Sequence, residues 1–253
     1  MVACGGNQRE QAGSIDLATA AEETTAAGTV SFSFSRVARG GAEPAVIEGH
    51  GALDLKANRA LITLGPLFQP YLEAITDGAN LYNCSRDLAS SLGKSCVKLL
   101  RTGPGSDVSS LLPYVRGSPI WAIDLLRGAK RVDELKRATV RGIQTTRYRV
   151  TVDLDRALES LPQAEGAILR LALERKDMSE VAFEPFDVWI DDQNLVRRVK
   201  SAMSVTGKET TEKTDTRFTL EFYDYGKPVS IKIPSADQIA DLSELPASPG
   251  TSP

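Results

Sequence analysis

Strict alternation of apolar and polar residues, returning along most of the chain, is what most limits the folds open to this sequence. Val30, Phe32 and Phe34 alternate with Ser31, Ser33 and Ser35. Tyr148, Val150, Val152 and Leu154 alternate with Arg147, Arg149, Thr151 and Asp153, and Phe218, Leu220 and Phe222 with Arg217, Thr219 and Glu221. Val199, Met203 and Val205 mark one face of the preceding strand. Successive side chains on a strand point to opposite faces, so this period predicts strands with one wet and one buried face, which favours antiparallel pairing. Turn residues separate them at Gly40-Gly41, Asp191–Asn194, Gly207 and Tyr225–Pro228. Further strands are predicted over 46–56, 59–65, 71–76, 79–84, 95–101 and 132–141. The total is roughly ten, more than a flat twisted sheet tolerates without curling.

Helical signals are fewer. Ser14 would cap a first helix over Ser14–Thr25. Ser118-Pro119 is an N-cap followed by proline at the first helical position, and Gly128 suits the stop. Between them only Asp124 and Arg127 are polar, and a helix apolar on nearly every side is expected to be surrounded. Gln163–Arg175 turns Ala164, Ile168, Leu171 and Leu169 toward a core, and Pro234-Ser235 with Gln238 reads as a capping-box start to a last short helix.

One long antiparallel sheet with several helices predicts an α+β fold. We expect a strongly curved half-barrel with helices packed on its concave face. From the strands that face would carry Val30, Phe32, Phe34, Ile62 and Leu64 on one side. Tyr148, Val150, Val152, Val188, Ile190 and Met203 follow on the other, with Phe218, Leu220 and Phe222 between. Trp121, Ile123, Leu126, Ile168 and Leu171 would meet them from the helices. The same stripe suits a filled core or an apolar cavity, and alternation alone does not choose.

The first residues, Met-Val-Ala-Cys-Gly-Gly, match the small-residue, Cys, Gly junction that follows the apolar core of a bacterial lipoprotein signal. Cys4 is therefore expected to carry the acyl anchor, with residues 1–13 as a polar tether, 14–244 as one domain and 245–253 as a disordered tail. Cys84 and Cys96 flank a Ser/Gly loop between two predicted strands. In an oxidising compartment they would form a disulfide worth about 3 kcal/mol on the chain-entropy model, the alternative being two buried thiols.

Little points to catalysis. The single histidine, His50, lies between Gly49 and Gly51 in a predicted strand, and no Gly-x-Ser-x-Gly elbow exists. No histidine or cysteine spacing suggests a metal. The pairs Asp153/Asp155 and Asp191/Asp192 read as solvated acids at strand ends and turns, and Lys208–Arg217 as a charged hairpin connection. Net charge is −3, and neither the basic excess nor the basic stripe of a nucleic-acid binder stands out. No run approaches the ~20 apolar residues of a transmembrane helix.

Three phrases carry a family likeness: Thr-Thr-Arg-Tyr-Arg-Val-Thr-Val-Asp-Leu (145–154), Phe-Asp-Val-Trp-Ile-Asp-Asp-Gln-Asn-Leu-Val-Arg-Arg-Val (186–199) and Phe-Tyr-Asp-Tyr-Gly-Lys-Pro-Val-Ser-Ile-Lys-Ile-Pro (222–234). In order and spacing, together with the Cys4 start, they resemble the LppX/LprAFG family of actinobacterial cell-envelope lipoproteins from end to end. The wider fold is similar to the LolA and LolB lipoprotein carriers and to periplasmic sigma-factor regulators. The resemblance implies a half-barrel wrapped around helices, with a hydrophobic cavity that receives acyl chains. It does not account for the Cys84/Cys96 pair, and it supplies no fixed polar motif for a lipid headgroup.

The expected function is thus a non-enzymatic, membrane-anchored extracytoplasmic lipoprotein that carries or presents a lipid or glycolipid, with an envelope transport protein as a further partner. No cofactor, metal or nucleic acid is expected. The alternative is an envelope sensor or regulator that docks a membrane protein through the same fold.

Overall fold

The computed structural model describes residues 15–40, 43–65, 72–78, 80–86, 93–100, 119–160, 178–207 and 213–240. Its strands are β1 (Thr29–Arg39), β2 (Ala45–Asp54), β3 (Arg59–Leu64), β4 (Glu73–Thr76), β5 (Asn80–Cys84) and β6 (Cys96–Leu100). There follow β7 (Ala129–Val140), β8 (Ile143–Val152), β9 (Met178–Phe183), β10 (Phe186–Ile190), β11 (Val196–Gly207), β12 (Lys213–Tyr223) and β13 (Ile239–Ala240). All thirteen join one sheet in the order β13-β6-β5-β4-β3-β2-β1-β12-β11-β10-β8-β7, with β9 added to β11. Every pairing is antiparallel except β13 with β6. Strands β9, β10 and β13 exceed the ten strand segments expected from the sequence.

Two glycines set the curvature. A Cβ on Gly51 would lie 1.9 Å from the Leu61 carbonyl oxygen and 2.8 Å from the Phe32 ring. On Gly49 it would lie 2.6 Å from the Thr63 carbonyl oxygen and 2.5 Å from the Phe34 ring. The β3 backbone thus folds in beneath β2 on the inner side, and the two phenylalanine rings fill the space that remains. Glycine in a strand marks this kind of tight bend. His50, between them, points outward and is exposed.

Helix α1 (Leu17–Ala26) starts later than expected: Ser14 lies outside the described residues, and Asp16 is the cap, its Oδ1 accepting from the Ala18 N–H at 3.0 Å. The apolar segment is one turn of helix, α2 (Trp121–Asp124), tightening into a 3₁₀ turn over Leu125–Gly128. Ala122, Ile123, Leu125 and Leu126 are all buried, as a segment enclosed by a curved sheet requires. Gly128 ends it because a side chain there would meet the Asp153 carbonyl oxygen and Ala157, both at 2.6 Å. A helix not expected, α3 (Leu154–Ser160), follows β8 directly. Asp153 caps it by accepting from the Arg156 N–H at 3.2 Å, so the Asp153/Asp155 pair marks a helix start. The Ser235/Gln238 capping box is present, but on a single 3₁₀ turn (Ala236–Gln238) that leads into β13. The predicted helix Gln163–Arg175 and residues 208–212 of the predicted Lys208–Arg217 connection lie outside the described residues, and the rest of that connection belongs to β12.

Asp191 corrects another expectation, since its side chain is buried. Its Oδ1 accepts from Gln193 N–H and Leu195 N–H at 3.0 and 2.9 Å, and its Oδ2 meets Arg197 Nε at 2.6 Å. The turn into β11 is thereby tied down from within. Beside it Thr24 Oγ1 accepts from the Val196 N–H at 3.0 Å, and the buried Tyr225 hydroxyl donates to the Val196 carbonyl. Burial pushes the Tyr225 phenol far above its ordinary range, so it stays a donor. α1, β11 and the chain after β12 are locked at one point.

Cys84 and Cys96 are bonded, as expected. They face each other in the β5–β6 ladder, and their Cα atoms are 4.0 Å apart, slightly under the usual disulfide span of about 4.4–6.8 Å.

Gly51→Ala should destabilise the fold toward the upper end of the ~1–3 kcal/mol typical of overpacking, because the opposing atom is backbone and cannot step aside. His50→Ala, on the exposed face of the same strand, should stay within about 0.5 kcal/mol. Urea unfolding of both variants measures the difference.

Candidate functional site

The inner face of the sheet gathers most of the residues expected from the sequence, and the strand register lays it out in rows. One row runs Tyr148, Val188, Val199, Leu220, Phe34, Gly49 and Leu64 across β8, β10, β11, β12, β1, β2 and β3. A second runs Phe222, Phe32, Gly51, Ile62, Ala74, Asn83 and Val97 from β12 to β6. At the usual strand spacing, seven strands span about 29 Å, close to the ~30 Å hydrocarbon thickness of a bilayer. Phe32 and Phe34 stack with centroids 6.5 Å apart, and Phe34 meets Phe218 at 6.0 Å. Apolar side chains from nearly every strand, from α1 and from the α2 segment join one cluster.

Most residues expected on this face are brought together. Val30, Phe32, Phe34, Ile62, Leu64, Ile123 and Leu126 are buried in the cluster, as are Tyr148, Val150, Val188, Ile190, Phe218, Leu220 and Phe222. Val152 is half-buried against it, while Arg149 and Thr151 are exposed, so the face assignment along β8 holds. Cys4, Ile168 and Leu171 lie outside the described residues, as do the side chains of Trp121 and Met203.

Two polar side chains on this face escaped the sequence reading. Arg36 follows Phe34 on the inner side of β1, opposite Phe218. Asn83 of β5 interrupts the second row between Ala74 and Val97, and its amide oxygen is buried without a hydrogen-bond partner. No motif marks either. Only their even spacing from Phe34 and Leu81 could have placed them inside.

The outer face is built on opposite chemistry. Asp187 of β10 sits between Arg147 and Arg149 of β8, at 2.5 and 3.0 Å. Trp189, buried on the same side, lies beneath the Arg147, Arg198 and Lys200 cations at 5.2, 5.3 and 5.7 Å from its ring. Glu221 of β12 holds Arg198 at 2.6 Å and Arg141 at 2.9 Å. Burial alone would raise the Asp187 carboxyl, but the bonds from Arg149 and Arg147 outweigh it and hold it below the usual range. Arg198 and Arg141 do the same against burial at Glu221.

Among the described residues no group of three or more His, Cys, Asp or Glu is placed to hold a metal ion, and no helix is long and apolar enough to cross a membrane. A depression of about 550 Å³ is lined by Ala27–Thr29, Asp54, Lys56, Ala57 and Gly226. Asp54 is engaged there with the Ala57 N–H at 2.9 Å.

No family model and no curated protein matches the chain. Among solved structures it is similar to the Mycobacterium tuberculosis lipoprotein LppX, at 14% identity over 85% of this chain and 98% of that one, TM-score 0.42. It is similar to LprF from Mycobacterium bovis at 14% over 88% and 99%, TM-score 0.43. A LolA superfamily protein from Nitrosomonas europaea matches at 6% over 83% and 95%, TM-score 0.33.

Because both carboxyls titrate lower in the folded state, their contribution to stability is complete above about pH 4–5 and is lost as pH falls toward their folded values. Asp187→Asn with Glu221→Gln should lower stability at neutral pH and flatten its dependence between about pH 5 and 2. Denaturant midpoints across that range give the slope.

Proposed function

We propose that the chain is a cell-envelope lipoprotein, anchored by acyl chains on Cys4, that holds the acyl chains of a lipid or glycolipid against the concave face of its sheet. The observation that carries this reading is the breadth of that face. Two seven-strand rows are apolar apart from Asn83, and each is about twice as long as the ~15 Å depth of one bilayer leaflet. The described helical segments are short: α1 has ten residues, about 15 Å, and α2 and α3 have four and seven. A wide apolar wall with a few polar groups is the usual lining of a site for an apolar ligand. The unpaired amide oxygen of Asn83 suits a hydroxyl or amide donor on the bound molecule. Burial pushes the Tyr148 phenol up, so that side chain stays neutral.

Organic-solvent extraction of protein purified from membranes, followed by lipid mass spectrometry, should recover a bound lipid. Val150→Trp adds bulk on the inner face of β8, where the residue is fully buried. With a lipid-holding space in front of it, the variant should keep nearly wild-type stability and lose the lipid. Thr151→Trp, on the exposed face, should change neither. A solid core predicts the reverse: a loss of about 1–3 kcal/mol and no lipid in the wild type. That outcome would leave the docking alternative standing.

Expressed behind a lipoprotein signal, Cys4→Ala should move the protein from the membrane to the soluble fraction. Unchanged fractionation, with no acyl mass on the N-terminal peptide, would reject the anchor.

A further inference from the structure

The β7–β8 hairpin concentrates charge to a degree that the whole chain conceals. Residues 129–152 carry seven Lys/Arg against two Asp/Glu, a net +5. The chain as a whole is −3, which leaves −8 on everything else. Four of the seven cations are held in ion pairs, Arg131 by Asp133, Arg141 by Glu221 and both Arg147 and Arg149 by Asp187, so the surplus the hairpin presents is Lys130, Lys136 and Arg137.

Its position is distinctive. β7 ends the sheet order and pairs only with β8 among the described strands. Lys130, Arg131, Lys136 and Arg137 are all exposed, and Lys130, Lys136 and Arg137 make no ion pair. The pairing slips at two places, between Ala129 and Arg131 and between Glu134 and Arg137. Lys130, and then Leu135 with Lys136, are left out of the ladder. Such bulges re-aim side chains.

The apolar residues agree with the basic ones. Val132, Leu135 and Ile143 are 36, 40 and 41% exposed. Three of the four exposed large hydrophobic residues in the described structure thus lie on this one hairpin. Charge on an edge strand is an ordinary guard against edge-to-edge pairing. That guard would not account for three aliphatic side chains left in water among the charges.

We infer that the β7–β8 hairpin is a docking surface for an anionic phospholipid bilayer. Lys130, Arg131, Lys136 and Arg137 would meet the headgroup phosphates while Leu135, Val132 and Ile143 reach between them. Cations with neighbouring apolar groups are the combination that holds a protein at a charged interface. The inference goes beyond the anchored-carrier reading, because it requires neither acylated Cys4 nor a loaded inner face.

The test is sedimentation of unacylated full-length protein with vesicles of phosphatidylcholine alone and of phosphatidylcholine with phosphatidylglycerol. Binding is expected only to the second, and should weaken as the screening length falls from about 10 Å at 0.1 M salt to about 3 Å at 1 M. At about fivefold per cation, Lys136→Ala with Arg137→Ala should weaken it about twentyfold or more. Leu135→Ser with Ile143→Ser should weaken binding while keeping its salt dependence. Lys56→Ala with Arg59→Ala, exposed cations elsewhere, should leave it unchanged. Circular dichroism confirms that each variant is folded. Equal binding to both vesicle types, binding to neither, or equal losses from the two cation pairs would overturn the inference.

Discussion

Two phenylalanine rings lying over two glycines decide the shape of this protein. Phe32 and Phe34 take up the room that Cβ atoms on Gly51 and Gly49 would need, while β3 closes in from the other side. Without that arrangement the sheet between β2 and β3 could not turn so sharply, and the long series of strands would splay into a surface that α1 and the α2 segment could not occupy. The same two rings belong to the apolar rows that form the inner wall. Curvature and wall chemistry therefore rest on the same side chains, and a change to either glycine acts on both.

The two faces divide the work of holding the sheet. On the inner face contacts are apolar and tolerate sliding, since one aliphatic neighbour serves nearly as well as another. On the outer face Asp187 and Glu221 bind pairs of arginines drawn from different strands, and hydrogen bonds to charged groups are directional. Arg141 illustrates this well. From the β7–β8 turn it reaches Glu221 on β12 and Ser33 on β1, both at 2.9 Å, so the tip of the hairpin is folded across the backs of the intervening strands. The outer-face ion pairs thus tie strand to strand across the sheet.

The alternation of Val30–Ser35, Arg147–Val152 and Arg217–Phe222 made the sheet and its inner face legible from sequence, because period two has one physical meaning on a strand. The bonded pair Cys84 and Cys96 was legible for a related reason: two strands and a short loop leave opposed positions little choice. α3 was hidden because Leu154 continues the alternation of β8, while Asp153 ends the strand by capping a helix. Asp191 read as a wet turn acid, since nothing local shows that Arg197 and two amides close over it. At Gly49-His50-Gly51 the histidine drew attention for its chemistry, yet the glycines carry the structure. The basic hairpin was lost in a net charge that sums over surfaces which never meet.

Asn83 connects the wall to stability. A buried amide oxygen without a partner costs about 1–3 kcal/mol relative to one that is satisfied, and here it interrupts an otherwise apolar row between Ala74 and Val97. A packed core would replace it readily, since an apolar side chain of similar size removes the cost. A molecule held along that row with a donor at its end would offset the same cost on binding. Binding to the folded state alone also shifts the folding equilibrium toward it, by an amount set by concentration over dissociation constant. On this account the empty and occupied forms differ in stability through one identifiable atom as well as through buried area. The inner wall is then less complete as a core than as half of an interface.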